Sequence, residues 1–439
     1  MVGAALSLPM AGALDNLQRL LQLPRRFWEQ AQEELFFLPP FPEQIDSLAL
    51  FSLLLVSGLL IGESLHVRLR WPRLIGYVLA GTLFGPSLLG WISIEALGQV
   101  RPIADAALGL LLLEAGRRLD LRWLASNPAL LRGALADIVL SFFFIYFFAT
   151  AVVGMVPAWA AATAAVTMAS APAVVLLTVE EAKAQGQVTE RIILYASLGS
   201  AASFVLFAVV LGVVHTELSH DWLNAVVHPL WVVAGGGLIA WLVSRFALAV
   251  AGRLPKRSLA QVFILVASAL FAVGLARMLA VPVFLTLFLM GVLLAFRDQQ
   301  QVLKYTELPE VHWLLAIILF VVIGATLPWR EFTWLTGLYA LGLLGARALA
   351  KVAALYWSGG ELAPAKRLLV GVGIQPLSAT AVFMAYEVAG LYPAVSRTAL
   401  LLPLFAAAIM EIAGPALCRL ALVRAGETDG ARTETGGKQ

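Results

Sequence analysis

Residues 168–177 read MASAPAVVLL, and residues 371–383 read GVGIQPLSATAVF. Each places a proline, Pro172 or Pro376, among small residues inside an otherwise apolar stretch. Proline deletes a helical N–H donor, and small side chains let another backbone come close, so each stretch is expected to split into two half-helices with exposed carbonyls. The two prolines stand in corresponding halves of the chain at an offset of 204 residues. Paired interruptions favour two crossed broken helices, with backbone turned toward an ion, over two independent proline kinks.

Working outward from these breaks, the 439 residues are 61% hydrophobic and 13% charged, with a mean hydropathy of +0.88. Globular chains carry about 25% charged residues, so the outer surface as well as the core must be apolar. The chain therefore reads as an all-α polytopic membrane protein. Thirteen apolar segments approach the roughly 20 residues that a bilayer requires. The first six lie at 48–65, 74–92, 103–115, 129–153, 158–179 and 192–214. The other seven lie at 230–246, 258–276, 279–296, 313–327, 334–357, 368–391 and 398–420, so the interruptions fall in spans five and twelve.

Basic residues concentrate in alternate loops: Arg68, Arg70 and Arg73; Arg117, Arg118 and Arg122; Lys183 and Arg191; Arg253, Lys256 and Arg257. Positive loops stay cytoplasmic. The N-terminus and His220 are thus expected outside, with Arg68, Arg257 and the C-terminus inside. The net charge of +3 belongs to this orientation pattern and not to nucleic-acid binding. One cysteine, Cys418, and five scattered histidines offer no disulfide framework and no metal-ligand spacing, so no cofactor or metal is expected and an enzyme is disfavoured.

Residues 1–46 form an N-terminal arm. Leu14, Leu17, Leu20 and Leu21 recur at helical spacing before Arg25, Arg26, Phe27 and Trp28, which suits an interfacial helix or a packing arm against a partner. Residues 47–421 make the transmembrane domain, and 422–439 read as a disordered cytoplasmic tail. Within the domain, LGLLLLEAGRRLDLRWL at 108–124 matches AIILFVVIGATLPWREF at 316–332, aligning Gly116 with Gly324 and Leu119 with Leu327. Gly81 and Gly291 repeat at a similar offset. Seven spans separate the copies, an odd number, so the halves run in opposite senses: repeat one at 47–215, a linking span at 230–246, repeat two at 258–421.

Ionisable residues inside apolar spans are costly and mark function by default. Glu114, Asp137, Arg347, Lys351, Glu387 and Glu411 qualify, with Glu63 and Asp105 nearer segment ends. Asp137 has Arg132 nearby as a satisfying partner, and Lys351 could snorkel to the cytoplasmic surface. Arg347, central in a 24-residue apolar stretch, needs a carboxylate.

WPRLIGYVLAGTLFGPSLLG at 71–90, LLLLEAGRRLDLRWL at 110–124, ASAPAVV at 169–175 and FVVIGATL at 320–327 resemble the monovalent cation:proton antiporter superfamily, in its sodium/hydrogen exchanger-like members of thirteen spans. The resemblance implies a homodimer in a bacterial inner membrane. Its core domain, holding the crossed helices, would move as an elevator and exchange Na⁺ or K⁺ for protons. It also implies a site of Ser170, Pro172, Gln375, Pro376 and Ser378 in the interrupted spans, Ser200 and Ser203 in span six, and Glu114, Arg347 and Lys351. The resemblance points to Glu114 as the partner of Arg347. Span six of the family carries aspartate, whereas here Gly199, Ser200 and Ala201 contain no acid. That absence supports a second reading, a coupling-deficient pseudo-transporter serving as a membrane sensor or assembly partner.

Overall fold

A computed structural model describes residues 46–119, 121–219, 222–254, 259–298, 309–358, 362–377, 379–391 and 393–428. Among the described residues the secondary structure is helical, without a strand. The chain divides into residues 1–52, of which 46–52 are described, and residues 53–439. The arm residues Leu14 to Trp28, His220, Arg257, Ser378 and the side chain of Glu387 lie outside the described part.

The helices are α1 (Ser47–Leu69), α2 (Arg73–Phe84), α3 (Ile94–Arg117), α4 (Leu121–Ser126), α5 (Pro128–Ala151), α6 (Pro157–Thr167), α7 (Pro172–Ala182) and α8 (Gln187–Ser219). They continue as α9 (Trp222–Ala251), α10 (Leu259–Met278), α11 (Val283–Arg297), α12 (Pro309–Thr326), α13 (Trp334–Trp357), α14 (Pro364–Gly373), α15 (Ala379–Leu391) and α16 (Pro393–Arg424). Proline opens α5, α6, α7 and α14, where its missing N–H has no helical partner to lose. Ser93 caps α3 by accepting from the Ala96 amide, and Thr333 caps α13 by accepting from Thr336.

Among the described residues ten helical segments are long and apolar enough to cross a membrane, and α2 and α11 are shorter apolar helices, so this is an integral membrane protein. Thirteen crossings exceed the ten that qualify by length and composition. Large apolar side chains such as Leu60, Phe147, Phe263 and Trp334 stand exposed, as a lipid-facing surface requires.

The glycines that align in the internal repeat prove to be contact points between its halves. A Cβ on Gly81 of α2 would overlap the Val321 carbonyl of α12, and one on Gly324 of α12 would overlap the Val78 carbonyl of α2. The other pair is built in the same way. Gly116 of α3 lies on the Phe288 carbonyl of α11, and Gly291 of α11 on the Leu113 carbonyl of α3. The repeat thus exchanges one crossing for the other, and each needs glycine because backbone meets backbone.

Around the α3–α11 crossing, α3, α9, α10 and α11 share an apolar core that includes Leu113, Ile239, Leu265 and Met290. The broken segments lie elsewhere, in contact with α5, α8, α13 and α16. Every residue from 162 to 179 is buried, whereas most of 48–69 is not, so the first break is central to its bundle. The C-terminal boundary differs from the expected 421. Helix α16 continues to Arg424, and Glu427 accepts from the Val188 and Thr189 amides and the Thr189 hydroxyl, capping the start of α8. The residues up to 428 are therefore part of the folded body.

Candidate ion site

The two interruptions are real and touch. Helix α6 ends at Thr167 and α7 begins at Pro172; α14 ends at Gly373 and α15 begins at Ala379. Ala171, held extended before Pro172, donates its N–H to the Pro376 carbonyl at 2.9 Å. Ser170 Oγ donates to the Ile374 carbonyl, also at 2.9 Å. The residues chosen for their proline breaks are thus joined backbone to backbone.

Arg347 ties this crossing together. It rises from the buried stripe of α13 and is 0% exposed. Its Nε donates to Thr167 O at 2.8 Å and one terminal nitrogen to Ala169 O at 2.7 Å, both on the first break. The other terminal nitrogen donates to Gln375 O at 2.6 Å and Gln375 Oε1 at 2.9 Å on the second. Gln375 is itself fixed by its amide, which donates to Gly371 O at 2.9 Å. This corrects the expected ion pair with Glu114. The C-terminal ends of α6 and α14 converge on the guanidinium, and a helix C-terminus carries roughly half a negative charge. Two such ends, with their free carbonyls, take the place of a carboxylate.

Glu114 is occupied elsewhere. Its carboxylate accepts from Arg117 at 2.9 Å and Arg118 at 3.2 Å, three and four residues along the same helix face. Arg118 also reaches Glu180 at 2.7 Å, and His312 stands 3.3 Å from Glu180. The adjoining Glu181 contacts His66 at 2.9 Å and Arg73 at 3.6 Å, and Arg73 also bonds Glu63. The end of α7 is therefore clasped by α1, α2, α3 and α12. Glu114→Gln is expected to remove only charge-assisted bonds within this cluster, costing about 1 to 3 kcal/mol. Exchange activity and its pH profile should persist, as measured in reconstituted vesicles. A loss as large as that of an Arg347 variant would restore the Glu114–Arg347 pairing.

Lys351 does not reach the surface, and Asp137 does not serve Arg132. Both Asp137 and Lys351 are buried, at 1% and 0% exposure, while Arg132 is exposed. Lys351 Nζ lies 3.1 Å from Asp137 Oδ2, and Ser141 Oγ donates to Asp137 Oδ1. A Cβ built on Gly199 of α8 would stand 3.7 Å from Asp137 Oδ2 and 3.7 Å from Ser170 Oγ. Asp137 of α5 thus stands next to Gly199 of α8 and the first break. Asp137 counts among the ionisable residues that the sequence marks as functional by default, with Arg132 as an alternative partner, but it is absent from the site that the resemblance implies; its place on the buried stripe Leu130, Gly133, Ala134, Asp137, Ser141 is the signal that favours the first reading.

Of the span-six hydroxyls, Ser200 Oγ is buried without a partner among the described residues. Ser203 Oγ donates to the Ala165 carbonyl at 2.6 Å and ties α8 to α6. Among the described residues no group of three or more His, Cys, Asp or Glu could hold a metal ion.

A sequence profile described as sodium/hydrogen exchanger, transmembrane, matches residues 51–417. No curated protein sequence matches the chain. The fold is similar to the sodium proton antiporter MjNhaP1 from Methanocaldococcus jannaschii at pH 8, with TM-score 0.63 and 17% identity, covering 86% of this chain and 95% of that one. An electron-microscopy structure of the same antiporter gives TM-score 0.62 at 16% identity, covering 86% and 94%. The crossed breaks, the mirrored glycine contacts and the profile match over most of the chain agree: this protein belongs to the sodium/hydrogen exchanger family.

Proposed function

We propose that the protein exchanges a monovalent cation, Na⁺ or K⁺, for protons, and that Asp137 is the carboxylate that binds the cation in exchange for a proton held on Lys351. The observation that carries this reading is the position of Asp137: buried, paired with Lys351, and beside Gly199 and Ser170 at the crossing. Without a cation, the Lys351 ammonium neutralises Asp137. A cation entering between Asp137 and the Ser170 and Ser200 hydroxyls takes that role. Lys351 is then a buried charge with no counter-charge and releases its proton. The pocket's net charge is unchanged, because one positive charge enters as another leaves.

The elevator, the homodimer, the thirteen crossings and an outside N-terminus in a bacterial inner membrane are part of the same proposal. Arg347 holds the broken helices as one body, which suits rigid movement against the α2–α12 and α3–α11 crossings. The Glu180 and Glu181 contacts, on the side that the basic loops assign to the cytoplasm, would have to part as α7 moves. The test uses proteoliposomes holding a pH gradient and a pH-sensitive dye. Addition of Na⁺, K⁺ or Li⁺ is expected to collapse the gradient with at least one of them. No response to any would favour the pseudo-transporter reading.

A further inference from the structure

Glu411 stands in the middle of α16, 1% exposed, and neither carboxylate oxygen has a hydrogen-bond partner among the described residues. The polar group facing it is the backbone N–H of Ala379, the first residue of α15, and this falls short of a hydrogen bond. The next residue, Thr380, is 0% exposed, and its hydroxyl also lacks a partner. Helix α16 packs on α2, α6, α7, α13, α14 and α15, yet no charged side chain among the described residues acts on Glu411 from any of them. One turn further along α16, Gly414 lies against the second break, where a Cβ would be 2.9 Å from Pro376 Cα.

We propose that Glu411 is a second proton-binding site, whose occupancy follows the shape of the break between Gln375 and Ala379. An ionised carboxylate with no counter-charge is far costlier to bury than the neutral acid. The group placed to stabilise the anion is the N-terminus of α15, with its unpaired amides and positive end. When those amides close on Glu411, its O–H bond breaks, the proton passes to solvent water, and the Glu411 carboxylate accepts hydrogen bonds from the α15 amides. When they withdraw, the carboxylate takes a proton back. A metal cation is a poor occupant, because such ions take about six oxygen ligands, whereas the carboxylate and one hydroxyl supply three.

The break also connects Glu411 to Asp137. Arg347 donates to Gln375 O and lies within 3.4 Å of Pro376 O, and it stands one turn from Lys351 on α13. Displacing Lys351 from Asp137 therefore acts on the element that faces Glu411, so that cation binding would release a proton there as well. The proposal rests on the exchange reading of Asp137.

The test counts protons released when Na⁺ or K⁺ is added to weakly buffered, purified full-length protein across a pH series, with cation binding followed by calorimetry. Glu411→Gln is expected to bind the cation and release about one proton fewer per chain over part of the pH range. Glu411→Asp should restore the count with a displaced pH midpoint. Equal release by wild type and Glu411→Gln at every pH overturns the second site while leaving exchange at Asp137 intact. Cation binding by wild type with no proton release overturns both. If Glu411→Gln does not fold, infrared difference spectra of wild type and Glu411→Asp decide. A cation-induced loss of protonated-carboxyl absorption that moves in Glu411→Asp supports the site, and spectra identical in the two overturn it.

Discussion

Arg347→Met is expected to be the most destabilising single substitution in the crossing, lowering detergent-solubilised stability so far that little folded protein is recovered. The methionine side chain fills similar length but donates nothing. Thr167 O, Ala169 O and Gln375 O, each within 2.8 Å of a guanidinium nitrogen, would lose a charge-assisted bond in a site without exposed surface. A buried polar group left unsatisfied costs about 1 to 3 kcal/mol, so these three alone come to at least about 3 kcal/mol. The loss also frees two converging helix C-termini to repel each other. Arg347→Lys should fall between the two. An ammonium has three donors and no planar fork, so it can satisfy one break well but not both. Thermal melting followed by size-exclusion fluorescence orders the three proteins. Wild-type melting of Arg347→Met would mean that the breaks hold themselves and that the guanidinium is idle.

Arg347 also marks where sequence reading was sound and where it failed. Its burial was legible, because no 24-residue apolar helix can hide a guanidinium near its centre except inside the protein. The breaks were legible too, since Pro172 and Pro376 delete the same donor at matching positions, and so were the repeat's glycines, since only glycine permits backbone contact. What the sequence did not reveal was which group answers which charge. Glu114 looked free until Arg117 and Arg118 were seen to wrap onto it, a local pairing that spacing alone predicts. Asp137 and Lys351 are 214 positions apart, and nothing local joins them. Backbone carbonyls have no signature in sequence, so an arginine served by helix ends reads as an arginine lacking an acid.

The Asp137–Lys351 pair supplies the second large effect, and it separates folding from transport. Asp137→Leu leaves Lys351 0% exposed with no anion, and Lys351→Met leaves Asp137 with Ser141 as its one hydrogen-bond partner among the described residues. Breaking one side of a buried pair costs about 3 to 5 kcal/mol, whereas replacing both by apolar groups is often neutral or better. The double variant Asp137→Leu with Lys351→Met should therefore melt above either single variant, and the cycle should return a coupling of about 1 to 3 kcal/mol. Transport follows a different order. Lys351→Met retains the carboxylate and should still bind the cation, but without releasing the proton that Lys351 supplies. Any variant without the Asp137 carboxylate should neither bind the cation nor collapse a pH gradient, including the well-folded double variant. Ser200 and Ser203 cannot substitute, because hydroxyls coordinate a cation but release no proton near neutral pH. If the double variant folds and still exchanges, Asp137 is scaffolding and the coupling carboxylate lies elsewhere. If it folds and is silent while Glu114→Gln remains active, the acid missing from span six has been replaced from α5.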